Sequence, residues 1–242
     1  MCGIAGWVDF DADVSGQRAI LETMTDSLTH RGPDARGIWF DGHAALGHRR
    51  LSIIDLEHGA QPMTMTGPSE QPLVLSFCGE IYNFKELRSE LMQLGHTFRP
   101  RSDTEVLLRG YAQWHDDVAQ RLNGMYAAAI WDAAQKKLVL IRDRLGVKPL
   151  YYCAIGRRLV FASEPKALFH HPSVRPQISA AGFRELLDMV KTPELTIYDN
   201  IWEVRPGGVV HFDAQGLKKY TYWKLQATPH RDDLPTTIEK VR

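Results

Sequence analysis

The sequence predicts an α+β fold in which mixed sheets are sandwiched between helices, and three observations predict it. Residues 125–131 and 138–141 are apolar at successive positions, so each reads as a strand covered on both faces. Several other segments place apolar residues at helical spacing, as Leu107, Leu108, Tyr111 and Trp114 do. Strands and helices also alternate in an order that simple strand–helix–strand crossovers cannot produce.

Taken in order, residues 2–8 are apolar and punctuated by glycine, and read as a strand. Ile20, Leu21, Met24 and Leu28 define a helix over residues 19–28, followed by the turn His30-Arg31-Gly32-Pro33-Asp34. Residues 38–40 and 44–47 flank Asp41-Gly42, a strong hairpin signal. Residues 72–77 form a strand, with Gly79-Glu80 in the turn after it. Asn83-Phe84-Lys85-Glu86 has the form of a capping box and opens a helix carrying Leu87, Leu91 and Leu94. Ser102-Asp103-Thr104-Glu105 caps the helix of Leu107 to Trp114. Short strands and a helix near residues 165–169 follow, then a helix over 180–189 and a hairpin opening at Gly207-Gly208. His170-His171 before Pro172 reads as a surface turn. Residues 1–230 read as one domain. Pro235 to Glu239 look like a helix start, so residues 231–242 read as the beginning of a linker or helix leading to a further domain.

Bulk properties narrow the function. The 242 residues carry 29 basic and 29 acidic side chains, a formal net charge of zero, with no basic tract to suggest nucleic acid. No run of about 18 apolar residues suggests a membrane span, and no signal peptide is evident at the start. Cys2, Cys78 and Cys153 are odd in number and far apart, which argues against a disulfide framework and for a reducing, cytoplasmic setting. No metal-ligand spacing is present, so no metal site is expected.

Cys2 is the most informative residue. Methionine aminopeptidases remove Met1 when a small residue follows, which would leave Cys2 with a thiol and a free α-amine on one residue. That is a nucleophile carrying its own base. A small buried apolar residue is the competing reading. Attack on an amide also needs an oxyanion donor and a grip on the substrate. Arg50 can clamp a carboxylate bidentately. The backbone N–H of Gly79 is a candidate oxyanion donor, and Glu80 and Asp103 can bind an α-ammonium group. Each also has a plainer reading: Arg50 as a surface charge, Glu80 as a helix-start acid, Asp103 as an N-cap.

Together these segments resemble the glutamine amidotransferase domain of asparagine synthetases, the class II, N-terminal-nucleophile type. The resemblance rests on Met1-Cys2-Gly3-Ile4, His30-Arg31-Gly32-Pro33-Asp34, Arg50-Leu51-Ser52-Ile53-Ile54-Asp55, Gln61-Pro62-Met63, Gly79-Glu80-Ile81-Tyr82-Asn83, Ser102-Asp103-Thr104-Glu105, Asn123-Gly124-Met125, Arg142-Asp143-Arg144-Leu145-Gly146-Val147-Lys148-Pro149-Leu150-Tyr151 and Ala162-Ser163-Glu164, in the family's order. It implies a four-layer αββα fold and hydrolysis of L-glutamine to glutamate and ammonia. By position, it makes Cys2 the nucleophile and Gly79 an oxyanion donor. It puts Arg50 on the glutamine α-carboxylate, Glu80 and Asp103 on the α-ammonium side, and the backbone of Arg50, Leu51, Ser52, Ile53 and Ile54 along the pocket. It further implies a C-terminal synthetase domain as partner. ATP and magnesium are expected only there, with no cofactor in this chain. The sequence leaves the oligomeric state open, a homodimer being one candidate.

One departure stands out. Cys78 occupies the position where the family carries an asparagine whose amide completes the oxyanion hole, and a thiol is a weak donor. A weakly active glutamine-binding or structural domain is therefore one alternative. An N-terminal-nucleophile acylase for another amide is the other, and Arg50 with Glu80 and Asp103 argues against it.

Overall fold

The computed structural model describes residues 1–52, 59–98 and 102–241. Among them, β1 (Gly3–Asp9), β2 (Ala35–Phe40), β3 (Ala44–Arg50), β4 (Met63–Thr66), β5 (Pro72–Ile81), β6 (Gly124–Asp132), β7 (Lys137–Arg142), β8 (Tyr151–Ile155), β9 (Arg158–Ala162), β10 (Trp202–Glu203), β11 (Gly208–Asp213) and β12 (Gly216–Thr221) form two antiparallel sheets. The strand orders are β10-β8-β9-β1-β3-β2 and β12-β11-β7-β6-β5-β4. The helices are α1 (Arg18–Asp26), α2 (Phe84–Gln93), α3 (Asp103–Trp114), α4 (Val118–Arg121), α5 (Pro165–Leu168), α6 (Ala180–Asp188) and α7 (Leu234–Val241).

Period-two alternation explains the layers. In β1, Ile4 and Val8 face the second sheet, where Val74, Cys78, Ala127 and Leu140 meet them. Ala5 and Trp7 face the other way, onto Leu21, Met24 and Leu28 and onto Ala167 and Leu168 of α5. In β5 and β6, Phe77, Tyr126, Ala128 and Ile130 turn outward beneath Leu87, Leu91, Leu107 and Tyr111 of α2 and α3. The result is helices, sheet, sheet, helices: the four-layer αββα sandwich that the resemblance implied. Strands 125–131 and 138–141 are apolar throughout because each is covered on both sides.

Several local expectations need correction. Cys2 lies just outside β1, which starts at Gly3. The helix expected to Leu28 ends at Asp26, and Ser27 to Arg31 continue as turns. No capping box forms at Asn83; its side chain instead bridges the Arg121 carbonyl and the Asn123 N–H. Ser102 does cap α3, its Oγ accepting from Glu105 N–H. Gly79-Glu80 is not a turn, because β5 runs through it to Ile81. His171 is buried rather than superficial. Its ring packs edge-on against Trp7 and Nδ1 accepts from Ser173 N–H, and burial, reinforced by the Arg158 charge, holds its pKa down at about 4. At α7 the cap is Asp233, whose carboxylate accepts from Thr236 N–H.

Leu140 sits fully buried between the sheets. Leu140→Ala should cost about 2–5 kcal/mol of unfolding free energy. A urea midpoint equal to that of the parent would contradict this packing.

Candidate active site

Cys2 is held by its backbone and its sulfur at once. Its carbonyl accepts from Arg31 Nε at 3.0 Å and from the Cys78 thiol at 2.9 Å. Leu51 N–H donates to Cys2 Sγ at 3.4 Å, and the thiol in turn reaches the Leu51 carbonyl at 3.7 Å. Two residues on, Ile4 N–H donates to Ser163 Oγ at 3.0 Å, and the Ile4 carbonyl accepts from Ser163 N–H at 2.8 Å. The thiol is therefore placed at the end of a central strand, between the tip of β3 and the middle of β5.

Gln61, Phe77, Gly79, Glu80, Asp103, Arg50 and Lys148 line one pocket with Cys2. Gly79 has φ +149°, and a Cβ there would meet the Met125 carbonyl at 2.1 Å, so only glycine fits. The direction of its N–H follows from strand alternation. Even-numbered residues of β5 bond to β6, as the Pro72 and Tyr82 bonds show. Odd-numbered residues point away from β6. Phe77 N–H is taken by Gln61 Oε1 at 2.6 Å and Ile81 N–H by Asp103 Oδ2 at 3.0 Å. Between them, Gly79 N–H faces the pocket, past the end of β4, with no hydrogen-bond partner among the described residues. It is exposed because a neighbouring strand stops short, not because of a turn.

The charges have distinct settings. Asp103 begins α3 and is buried, which raises its carboxyl pKa against the opposing pull of the Ile81 N–H. Arg31 is buried beside Cys2, with Nη1 on Glu164 Oε1 at 3.0 Å and Nη2 at 4.0 Å from Cys78 Sγ. Gly32 lets this loop lie flat on β3, since a Cβ there would meet the Arg49 backbone at 2.4 Å. Burial works against ionisation of Glu164, but hydrogen bonds from His30, Arg31 and Lys166 outweigh it and hold its pKa at about 2. Burial raises the Cys78 thiol pKa, with the Arg31 charge opposing. His48, the histidine on β3, donates Nε2–H to the Phe77 carbonyl; burial, reinforced by the Arg50 charge, lowers its pKa to about 4, so it stays neutral.

Of the residues chosen from sequence, Cys2, Arg50, Leu51, Cys78, Gly79, Glu80 and Asp103 share this pocket. Ser52 lies next to it, with its N–H turned to Asp34 Oδ2 at 2.7 Å. Ile53 and Ile54 lie outside the described residues. Cys78 is in place, but its S–H is directed at the Cys2 carbonyl. Sequence reasoning did not single out Arg31, Gln61 or Lys148. All three stand in motifs that carried the resemblance, but only the packing brings them beside Cys2.

A thiol at residue two, a strand N–H turned to the pocket and charges of both signs meet on a two-sheet αββα sandwich, an arrangement suited to attack on an amide. A family model described as "Glutamine amidotransferase domain" matches residues 1–223. The chain belongs to that family. It is 39% identical over its whole length to asparagine synthetase [glutamine-hydrolyzing] 3 of Bacillus subtilis (strain 168), covering 40% of that protein. It is 35% identical to asparagine synthetase [glutamine-hydrolyzing] 1 of the same organism, again over its whole length and covering 38% of that protein. The chain thus spans about 40% of the length of these curated relatives. The fold is also similar to a glutamine phosphoribosylpyrophosphate amidotransferase from B. subtilis, with a TM-score of 0.68 over 92% of this chain and 49% of that one at 21% identity.

Glu164 gives a pH test of the Arg31 anchor. Its pKa is depressed in the folded state, so its stabilising contribution is complete above 4.5 and is lost as pH falls from there through about 2. Glu164→Gln should remove that part of the acid sensitivity. Urea unfolding across this range should give a shallower pH dependence for the variant; identical slopes would show that the carboxylate is not engaged.

Proposed function

We propose that residues 1–230 form a glutaminase unit that hydrolyses L-glutamine and passes ammonia to a synthetase-type domain of a longer protein. The observation that carries this reading is the convergence on Cys2 of Arg50, Glu80, Asp103 and the free Gly79 N–H in one pocket. A free α-amino acid needs groups of both signs, and Arg50 faces its carboxylate while Glu80 and Asp103 face its ammonium.

Chemistry begins with removal of Met1. The exposed α-amine of Cys2, directly or through a water, takes the proton from Sγ, and Sγ attacks the side-chain amide carbon. The oxygen that gains negative charge is met by Gly79 N–H. The C–N bond breaks, the α-ammonium gives its proton to the leaving nitrogen, and ammonia departs, leaving a γ-glutamyl thioester. The same amine takes a proton from water, the hydroxide adds, the C–S bond breaks with return of the proton to sulfur, and glutamate leaves. Neutral His48 takes no part.

The named relatives and the fraction of their length spanned here support a C-terminal synthetase partner in which ATP and magnesium would activate aspartate or a related carboxylate. Residues 231–242 lead toward it. A cytoplasmic setting is supported by three free cysteines. Among the described residues, no helix is long and apolar enough to cross a membrane.

Glutamate release by the chain is the direct assay. Cys2→Ala should abolish it without unfolding the protein, and release at the parental rate would rule out Cys2 as the nucleophile. Cys78 offers a second test. Its S–H is spent on the Cys2 carbonyl. An amide there has two N–H donors, one for that carbonyl and one for the oxyanion. Cys78→Asn should therefore speed glutamate release, with an upper bound near the roughly 10²–10³ measured for such donors elsewhere. An unchanged rate would mean that this position does not serve the oxyanion.

A further inference from the structure

Lys148 is a charged residue lining the pocket that the reaction above leaves without work. Its loop is built to hold it still. Asp143 is buried, and its carboxylate accepts from the N–H groups of Tyr126, Leu145, Val147 and Lys148. Arg142 closes the loop from the other side, donating to the carbonyls of Lys148 and Gly146 and pairing with Glu203 at 2.8 Å. The Lys148 side chain is buried, and among the described residues no carboxylate pairs with it. Its Nζ instead donates to Met1 Sδ at 3.2 Å. A thioether is a weak acceptor, so this is poor compensation for a buried ammonium.

The position matters more than the bond. Met1 is bonded to Cys2 N, so the space its side chain fills adjoins that nitrogen. Removing Met1 takes away the thioether and frees the α-amine of Cys2 in the pocket that Lys148 also lines. We propose that Lys148 is a positioning residue whose fixed positive charge keeps the α-amine of Cys2 uncharged and able to accept the thiol proton. The inference rests on the N-terminal-nucleophile reading.

Two like charges in one partly buried pocket disfavour each other, so the amine gives up its proton more readily beside Lys148. Other groups around the pocket bear on the balance. Arg31 and Arg50 add positive charge. Arg31 is matched by Glu164, which also holds His30 and Lys166. Glu80 and Asp103 carry the opposing negative charge, and one oxygen of Asp103 is already bound to Ile81 N–H. Cys78 stays a thiol, because burial raises its pKa while the charges of Arg31 and Lys148 only partly offset that. Among the described residues, no acid pairs with Lys148, whereas Arg31 has Glu164.

The test is a titration of the α-amine in chain labelled with ¹⁵N-cysteine, with intact mass read on the same sample. Met1 should be absent. The amine should titrate at least about one pH unit below the roughly 7.7–8.0 of an ordinary α-amine. Lys148→Met, similar in length but uncharged, should move that midpoint up by about one unit and carry the acid limb of kcat/KM for glutamate release with it. Lys148→Arg should keep both near the parent. An ordinary amine midpoint in the parent overturns the proposal even if Lys148→Met fails to fold. Retention of Met1, or an unchanged midpoint in a folded Lys148→Met, also overturns it. A change confined to KM would make Lys148 a substrate contact instead. A depressed amine in a parent that releases no glutamate would sink the glutaminase reading and leave the role of Lys148 standing.

Discussion

The backbone carbonyl of Cys2 is where the two halves of the sandwich meet chemically. Arg31 reaches it from the loop after α1, and the Cys78 thiol reaches it from β5 in the opposite sheet. With Leu51 N–H on the sulfur, these contacts fix a residue that would otherwise be the frayed start of a chain. The rest of the site depends on this anchor. Arg31 can be buried only because Glu164 meets it, and Glu164 stays ionised only because three donors surround it.

The second constraint is where strands stop. β4 begins opposite Leu75, so the later odd-numbered N–H groups of β5 have no neighbouring strand. Two are claimed by side chains, those of Gln61 and Asp103, and the third, on Gly79, is left for the pocket. A carboxylate at the start of α3 thus does two jobs: it finishes the edge of β5 and sets negative charge beside Arg50 and Glu80. An N–H held this way is rigid, because moving it would mean breaking the ladder between β5 and β6.

Much of this was legible in the sequence, for reasons that differ by residue. Leu87, Leu91, Leu107 and Tyr111 announce their helices through spacing, and the all-apolar run of β6 announces cover on both faces. The pocket residues Cys2, Arg50, Glu80 and Asp103 were found because they stand in motifs, not because their types are diagnostic. What escaped depends on long-range packing. The wish of Asn83 to cap α2 is overridden by a better pair of bonds across the loop at Asn123. His171 looks like a surface residue until Trp7 covers it. Gly79 reads as a turn because glycine usually does, whereas here it marks a crossing too close for a Cβ. Lys148 stands in a motif, but its charge beside Met1 is visible only in space.

The central claim is that Cys2, as the first residue of the mature chain, forms a covalent bond to its substrate. Mass spectrometry of protein mixed with glutamine and quenched in acid tests it most directly. The account predicts a chain without Met1 carrying a single γ-glutamyl group, mapped to Cys2 and lost on further incubation as glutamate appears. Glutamate appearing from a chain that keeps Met1, or an adduct mapped to any other residue, would contradict it.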